Sequence, residues 1–345
     1  MNKQRILGII LILALTLSLV VACGNEDVEE PATNTDESTE NDDKVEENEA
    51  EEQYGVTIDE NTVSFTDARE KEIVLEKNPE RVVVIYNSLL DVWMENGGDI
   101  VGRIEESEGQ EPIEGIEDAE IVGKLGSISV EKVLALQPDL VISMAAQPSQ
   151  LEAAESLENN DIPVLVAEYN TKEDYFKLGR LFTALNDRED LYEKNVIDIS
   201  KGIEDIVEKA PKDKEEKVLL MVASTKSITA RGSETTVGEM LDDLHMINIA
   251  DDSDDTLSSK NFSMEKIIEE DPDYIFVQTT GSDMDKVMER LKEDVESNPA
   301  WSELSAVKND KYIILPKDLY WYKPNDRFVE AYEGLAEIIY PEVFE

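Results

Sequence analysis

One cysteine and one histidine stand in 345 residues. No disulfide can close within the chain, and a metal site built from several His and Cys ligands is excluded by arithmetic. Cations are scarce as well: 32 Lys and Arg face 80 Asp and Glu, a formal net charge of −48. That balance offers nothing to nucleic acid or to an anionic membrane surface, because both are polyanions. Catalytic signatures are missing too. There is no G-x-S-x-G, no H-E-x-x-H, and no second His or Cys to complete a nucleophile–base pair. A hydrolase would have to work with carboxylates alone, and no acid pair is marked for that work. The expectation is a binding protein without a cofactor, not an enzyme.

The one long apolar run lies at the start. Lys3 and Arg5 precede residues 6–21, and Ala22-Cys23-Gly24 follows. A basic segment and then an apolar stretch of this length reads as a secretion signal. Its end, Leu-Val-Val-Ala-Cys, resembles a bacterial lipobox, in which the cysteine is acylated and becomes the mature N-terminus. The other reading is a transmembrane anchor with an incidental cysteine; that the chain's single Cys falls here favours lipidation at Cys23. Residues 1–22 are therefore set aside as a leader. Residues 23–53 are mostly Glu, Asp, Asn, Thr and Ser, too poor in apolar surface to offset ordering entropy, and read as an extended acidic tether.

What is present is a duplication. Residues 129–143 (SVEKVLALQPDLVIS) and 263–277 (SMEKIIEEDPDYIFV) lie 134 positions apart and share one pattern. Each has a Ser at an N-cap position, a Glu two residues later, an apolar pair, Pro-Asp, and an apolar run. That is a capped helix, a stop, and a buried strand. The period is far longer than that of a solenoid repeat, so the pattern predicts two related α/β lobes. In the first, residues 63–65 and 73–75 read as a strand pair and 81–86 (RVVVIY) as a strand buried on both faces. A helix over 89–95, stopped by Gly97-Gly98, leads to a short strand over 100–102. Helices over 130–136, 150–158 and 172–184 alternate with strands over 140–144 and 164–167, which argues for a parallel sheet covered by helices. Residues 186–210 carry an apolar stripe and Pro211 just beyond, and read as one long helix joining the lobes, with two helices broken near Gly202 as the alternative. The second lobe repeats the order: strand 217–222, helix 236–244, the second copy of the repeat, helix 283–295, strand 312–315 and a last helix over 326–340. The expected domains are a lobe over 54–185, the linking helix over 186–210, and a lobe over 211–345. The fold class is α/β: two Rossmann-like lobes with parallel-type sheets.

The lipobox, the RVVVIY strand, the paired S-x-E…P-D units, the long helix and the closing PNDRFVEAYEGLAEIIYPEVF together resemble the class III solute-binding proteins of ABC importers. These capture ferric siderophores, haem or cobalamin outside the membrane. The resemblance spans residues 60–345. It implies a lipid-anchored protein on the outer face of the cell membrane, a monomer, holding an iron complex between its lobes and passing it to a permease dimer. It also implies that Glu131 and Glu265, one on each lobe, dock into arginine pockets of the two permease subunits; read alone, both are ordinary first-turn carboxylates. Relatives that bind bare zinc or manganese use several His residues, and a chain with one His falls outside that branch.

Ligands of α/β lobes meet the loops at the carboxyl ends of the strands. That selects Tyr86, Asn87, Met144, Gln147, Tyr169 and Asn170 in the first lobe, and Lys226, Thr279, Thr280 and the cluster Tyr320-Trp321-Tyr322-Lys323 in the second. Lys124 and Arg231 are read as loop residues able to face the same cleft. Cations converging on a cleft in so acidic a chain would suit an anionic ferric chelate, with aromatics covering its apolar faces. The plainer readings are surface cations paired with abundant carboxylates, and aromatics that pack the last helix. Tyr320, Trp321 and Tyr322 are expected to be extended, so that neighbours face opposite sides. His245, near a helix end, is the one candidate for an imidazole ligand to haem iron, against a plain helix-terminus role. Haem and cobalamin remain alternatives of the same class, and a ligand-sensing lipoprotein or a carboxylate-based extracellular hydrolase are alternatives of other classes.

Overall fold

The strand Val82–Val84 shows how each lobe is built. Its side chains alternate between two cores: Val82 and Val84 enter one, Val83 and Ile85 the other. A strand with oil on both faces needs cover on both, and helices supply it. The computed structural model describes residues 51–106, 113–251 and 264–344. The expected leader, Cys23, the tether up to residue 50 and the second copy's Ser263 lie outside the described residues.

The first-lobe sheet runs, edge to edge, Val164–Ala167, Leu140–Met144, Val82–Val84, Gly102–Ile104, Glu120–Lys124 and Ser127–Ile128. All pairs are parallel except the last, a hairpin. Helices Asn87–Glu95, Val130–Ala135, Pro148–Glu158 and Lys172–Leu185 cover it. An antiparallel meander precedes it, with strands Glu51–Gln53, Val56–Ile58, Thr62–Thr66 and Glu72–Glu76. Its last pair sets Val63 opposite Leu75 and Phe65 opposite Ile73, and all four side chains enter the core.

The second sheet centres on Lys217–Ala223, which pairs in parallel with Tyr274–Thr279, itself paired with Tyr312–Ile314. On its other side lie Ile247–Asn248, parallel, and Ile228–Arg231, antiparallel. Leaving aside that last strand and the first lobe's Glu120–Lys124 and Ser127–Ile128, the connectivity of the two sheets matches. In each, the repeat's strand lies beside the lobe's first strand, and the strand that follows it lies outside.

The repeat's Pro-Asp has a specific task. Asp139 accepts the backbone N–H of Glu80 and of Arg81 at 2.7 and 2.9 Å, and Asp273 accepts that of Lys217 at 2.9 Å. Each carboxylate thus clasps the start of its lobe's first strand, satisfying N–H groups that the ladder leaves orphaned. The residues before the prolines, Gln137 and Asp271, are both left-handed, at φ +50° and +43°. The duplication is one of hydrogen bonding as well as of pattern.

The lobes are joined by residues 189–209, helical throughout, with a π-turn at Glu193–Ile197 between Glu189–Tyr192 and Asp198–Lys209. The helix does not break at Gly202. A β-carbon there would meet Val329 at 2.7 Å, so the glycine lets the helix Phe328–Ile339 pack closely against it. Ile199, Ile203 and Ile206 share one hydrophobic core with Val84, Leu220, Phe276, Phe328 and Leu335. That core runs without interruption through both lobes, and the described residues form a single compact unit. Burial on this scale opposes large hinge motions.

Candidate functional site

Where the strands' carboxyl ends come together, a pocket of about 230 Å³ opens between the lobes. The first lobe contributes Asn170, just beyond the strand Val164–Ala167; the second contributes Arg231, Thr236, Gln278, Trp321, Tyr322 and Lys323 among others. Gln278, next to last in its strand, reaches the end of the short helix Lys317–Tyr320, where its Nε2 donates to the Tyr320 carbonyl. Lys323 Nζ donates to Thr236 Oγ1 at 2.6 Å and to the Asn170 carbonyl at 3.3 Å, and lies 4.7 Å from the centre of the Tyr169 ring. Burial pushes its pKa down to about 8, against the opposing pull of Asp174 and Glu239. Beneath it Tyr169 is fully buried, its hydroxyl donating to Asn325 Oδ1 at 2.8 Å.

A second cation stitches the lobes beside the pocket. Lys172 Nζ reaches Asp243 at 2.7 Å, Glu239 at 3.2 Å and Glu173 at 3.3 Å, and its backbone N–H donates to Glu239 at 2.8 Å. Thr236 Oγ1 donates to the Asn170 carbonyl at 2.6 Å. Burial works against the Lys172 charge, but three carboxylates outweigh it and hold its pKa above the usual value. Glu239 is pushed up to about 7 by burial and by the neighbouring Glu173.

Residues 82–319 match the periplasmic binding protein family. The chain belongs to that family. It is a substrate-binding protein of the ABC-importer kind, with the two-lobed class III fold. It is 28% identical to the uncharacterized ABC transporter substrate-binding lipoprotein YvrC of Bacillus subtilis, over 98% of each chain. It is 24% identical to the iron-uptake system-binding protein of the same organism, over 91% of each. The crystal structure of the periplasmic catecholate-siderophore binding protein VctP of Vibrio cholerae superimposes with a TM-score of 0.64 at 20% identity, covering 81% of this chain and 99% of that one.

In this periplasmic binding protein, six residues singled out by sequence line the pocket: Asn170, Arg231, Tyr320, Trp321, Tyr322 and Lys323. Tyr169 lies directly under it. Others sit elsewhere. Met144 and Thr279 are buried to within 4% and 1% of complete, so their side chains serve the interior instead of the cleft wall. Asn87 is buried and donates to the Glu105 carbonyl at 3.2 Å, while Tyr86 and Gln147 are half-buried at the starts of their helices. Thr280 is half-buried, its N–H given to the Ala223 carbonyl. Lys226 is exposed on the turn between strands 217–223 and 228–231. Lys124 and Arg231 are strand residues, not loop residues. Lys124 ends a strand four places along the sheet from the one that leads to Asn170, about 19 Å at the usual strand spacing. The aromatic run is not extended either. Tyr320 closes a short helix and packs inward, donating to the Ala331 carbonyl at 3.0 Å, which leaves both Trp321 and Tyr322 half-buried at the pocket. His245 follows the helix Thr236–Asp243 with φ +64° and does not line the pocket.

Lys323 lines the pocket as part of the cluster read from sequence, while Gln278 and Thr236 were not singled out. Gln278 and Thr236 had no signal, since their place depends on sheet register. Glu131 and Glu265 are both exposed, each the second residue of its helix, in Val130–Ala135 and Met264–Glu270. Each helix runs back to the start of a parallel strand, so its first turn stands at the strands' carboxyl end, level with the pocket.

Proposed function

We propose that this protein captures an anionic ferric chelate outside the cell membrane and hands it to an ABC permease dimer. The carrying observation is the pocket between the lobes, where two cations, Arg231 and Lys323, and one acid, Glu234, converge with Trp321 and Tyr322, a net positive wall in a chain of charge −48. Guanidinium and ammonium groups complement carboxylate or catecholate oxygens, and indole and phenol rings cover the flat apolar faces of such ligands. The similarity to an iron-uptake system-binding protein supports the same cargo. Lipidation of Cys23 would hold the protein at the membrane, with Glu131 and Glu265 turned toward the permease; among the described residues no helix is long and apolar enough to cross a membrane.

A tryptophan-quenching titration tests this, since Trp321 lines the pocket. Ferric citrate, ferric catecholates, haem and cobalamin would be added in turn to the chain lacking its leader. Saturable quenching by a ferric chelate is expected. A Soret band or a cobalamin spectrum retained through gel filtration, with no response to ferric chelates, would overturn the cargo.

A further inference from the structure

Two half-buried lysines border the same pocket, and their surroundings are opposite. Lys172 is held by three carboxylates. Lys323, among the described residues, has a hydroxyl, a carbonyl and an aromatic ring as its partners, none of them an acid. In a chain with 80 acidic residues a counter-charge is never hard to supply. Burying an ammonium without one is unfavourable, and the arrangement makes physical sense if the counter-charge arrives from outside. The ammonium carries three protons, and its two hydrogen-bond acceptors leave one for a further group. The pocket it faces has room for a carboxylate or catecholate arm of a chelate.

We infer that Lys323 is the specificity-determining residue of the cleft, admitting ligands that present an anionic oxygen group to its ammonium and discriminating against uncharged chelates of similar size. This rests on the proposed cargo and narrows it. The discrimination is electrostatic: an anion gains a charge-assisted bond in a low-dielectric site, while a neutral ligand leaves the buried charge as it was. Arg231 and Glu234 share the pocket and offset one another in formal charge, so the net positive character of the wall comes from Lys323. The other titratable groups around it are Tyr322 on the wall, Tyr169 beneath, and Asp174 and Glu239 behind. The depressed pKa of Lys323 adds a second signature. A bound anion restores the charge, so binding at pH 8.5 takes up a fraction of a proton.

The experiment compares the wild-type chain with Lys323→Gln, which keeps a hydrogen-bonding head without the charge. Three probes are titrated: ferric citrate, a ferric dihydroxybenzoate complex, and an uncharged ferric trihydroxamate. The wild type is expected to bind at least one anionic probe ten or more times tighter than the trihydroxamate. The variant is expected to lose roughly ten- to a hundredfold for that probe, and no more than about threefold for the trihydroxamate. Whichever anionic probe is preferred tells carboxylate from catecholate. Calorimetry at pH 8.5 in two buffers of different ionisation enthalpy should show proton uptake in the wild type and none in the variant. An unchanged ratio of affinities in a folded variant, or a wild-type preference for the uncharged chelate, overturns the inference while leaving the cargo in place. Failure of the wild type to bind any ferric chelate overturns the cargo and this inference with it.

Discussion

Replacing Glu131 and Glu265 together by alanine is expected to bring ligand uptake through the permease down to background while leaving ligand affinity unchanged. Both carboxylates are exposed and neither lines the pocket, so the pocket has no reason to notice their loss. Each stands in the first turn of its helix, where the dipole favours a negative charge by only about 0.3–1 kcal/mol, so the fold should survive both changes. The effect on docking is of another order. Truncating one member of a charge pair that becomes buried on association costs about 2–5 kcal/mol, and two lobes meeting two subunits lose two such pairs. The combined loss is at least about a thousandfold in docking affinity. Each single variant should fall partway, and Glu→Gln should be milder than Glu→Ala. The measurement is uptake of radioactive iron by cells that carry only the variant, beside a quenching titration on the purified protein. Unimpaired uptake by the double variant would mean that the duplicated glutamates are nothing more than first-turn carboxylates.

The duplication made most of the scaffold legible. A repeated helix, Pro-Asp and strand predicted two lobes, and hydrogen bonds from Asp139 and Asp273 to the first strand of each lobe give that repetition a structural cause. Gly202 was harder to read, because a glycine that breaks a helix and one that admits a neighbouring helix look the same in sequence; only Val329, 127 residues on, decides between them. The strand Ile228–Arg231 escaped notice because its hairpin turn, Ser224 to Ser227, holds neither Gly nor Pro and the strand itself alternates weakly. The pocket was the least legible part. Strand ends locate it in general, but which side chains reach it follows from register and burial. Met144 and Thr279 end parallel strands as expected, yet their side chains are buried in the interior. Asn170 and Lys323 are brought together from 153 positions apart by a contact that no local pattern encodes.

Lys172→Met is expected to destabilise the folded chain by about 2–4 kcal/mol, lowering the thermal midpoint by roughly 5–10 °C. Lys172 is the cation of a mostly buried cluster, with side chains exposed by 17% at Lys172, 15% at Glu239 and 26% at Asp243, so solvent screens these bonds much less than at an open surface. Asp243 also accepts from the Tyr332 hydroxyl at 2.5 Å, which ties the cluster to the helix Phe328–Ile339. Removing the lysine leaves acids facing one another between the lobes, and breaking such a pair from one side costs more than the pair contributed. The defect should depend on pH. Glu239 is already pushed up to about 7. A carboxyl held above its ordinary range keeps its proton in the folded chain after the unfolded chain has lost it, so this group's contribution to stability declines as pH rises between the two values. Without Lys172 the carboxyl should be pushed further up, and the penalty should be small near pH 5.5, where it is protonated, and full near pH 8. Adding Glu239→Gln to Lys172→Met removes one of the unpaired charges and should recover part of the loss at pH 8 and little at pH 5.5. Thermal unfolding of the three chains at both values tests this. A midpoint that does not move, or a defect equal at the two pH values, would mean that the lobes are held by their shared apolar core alone.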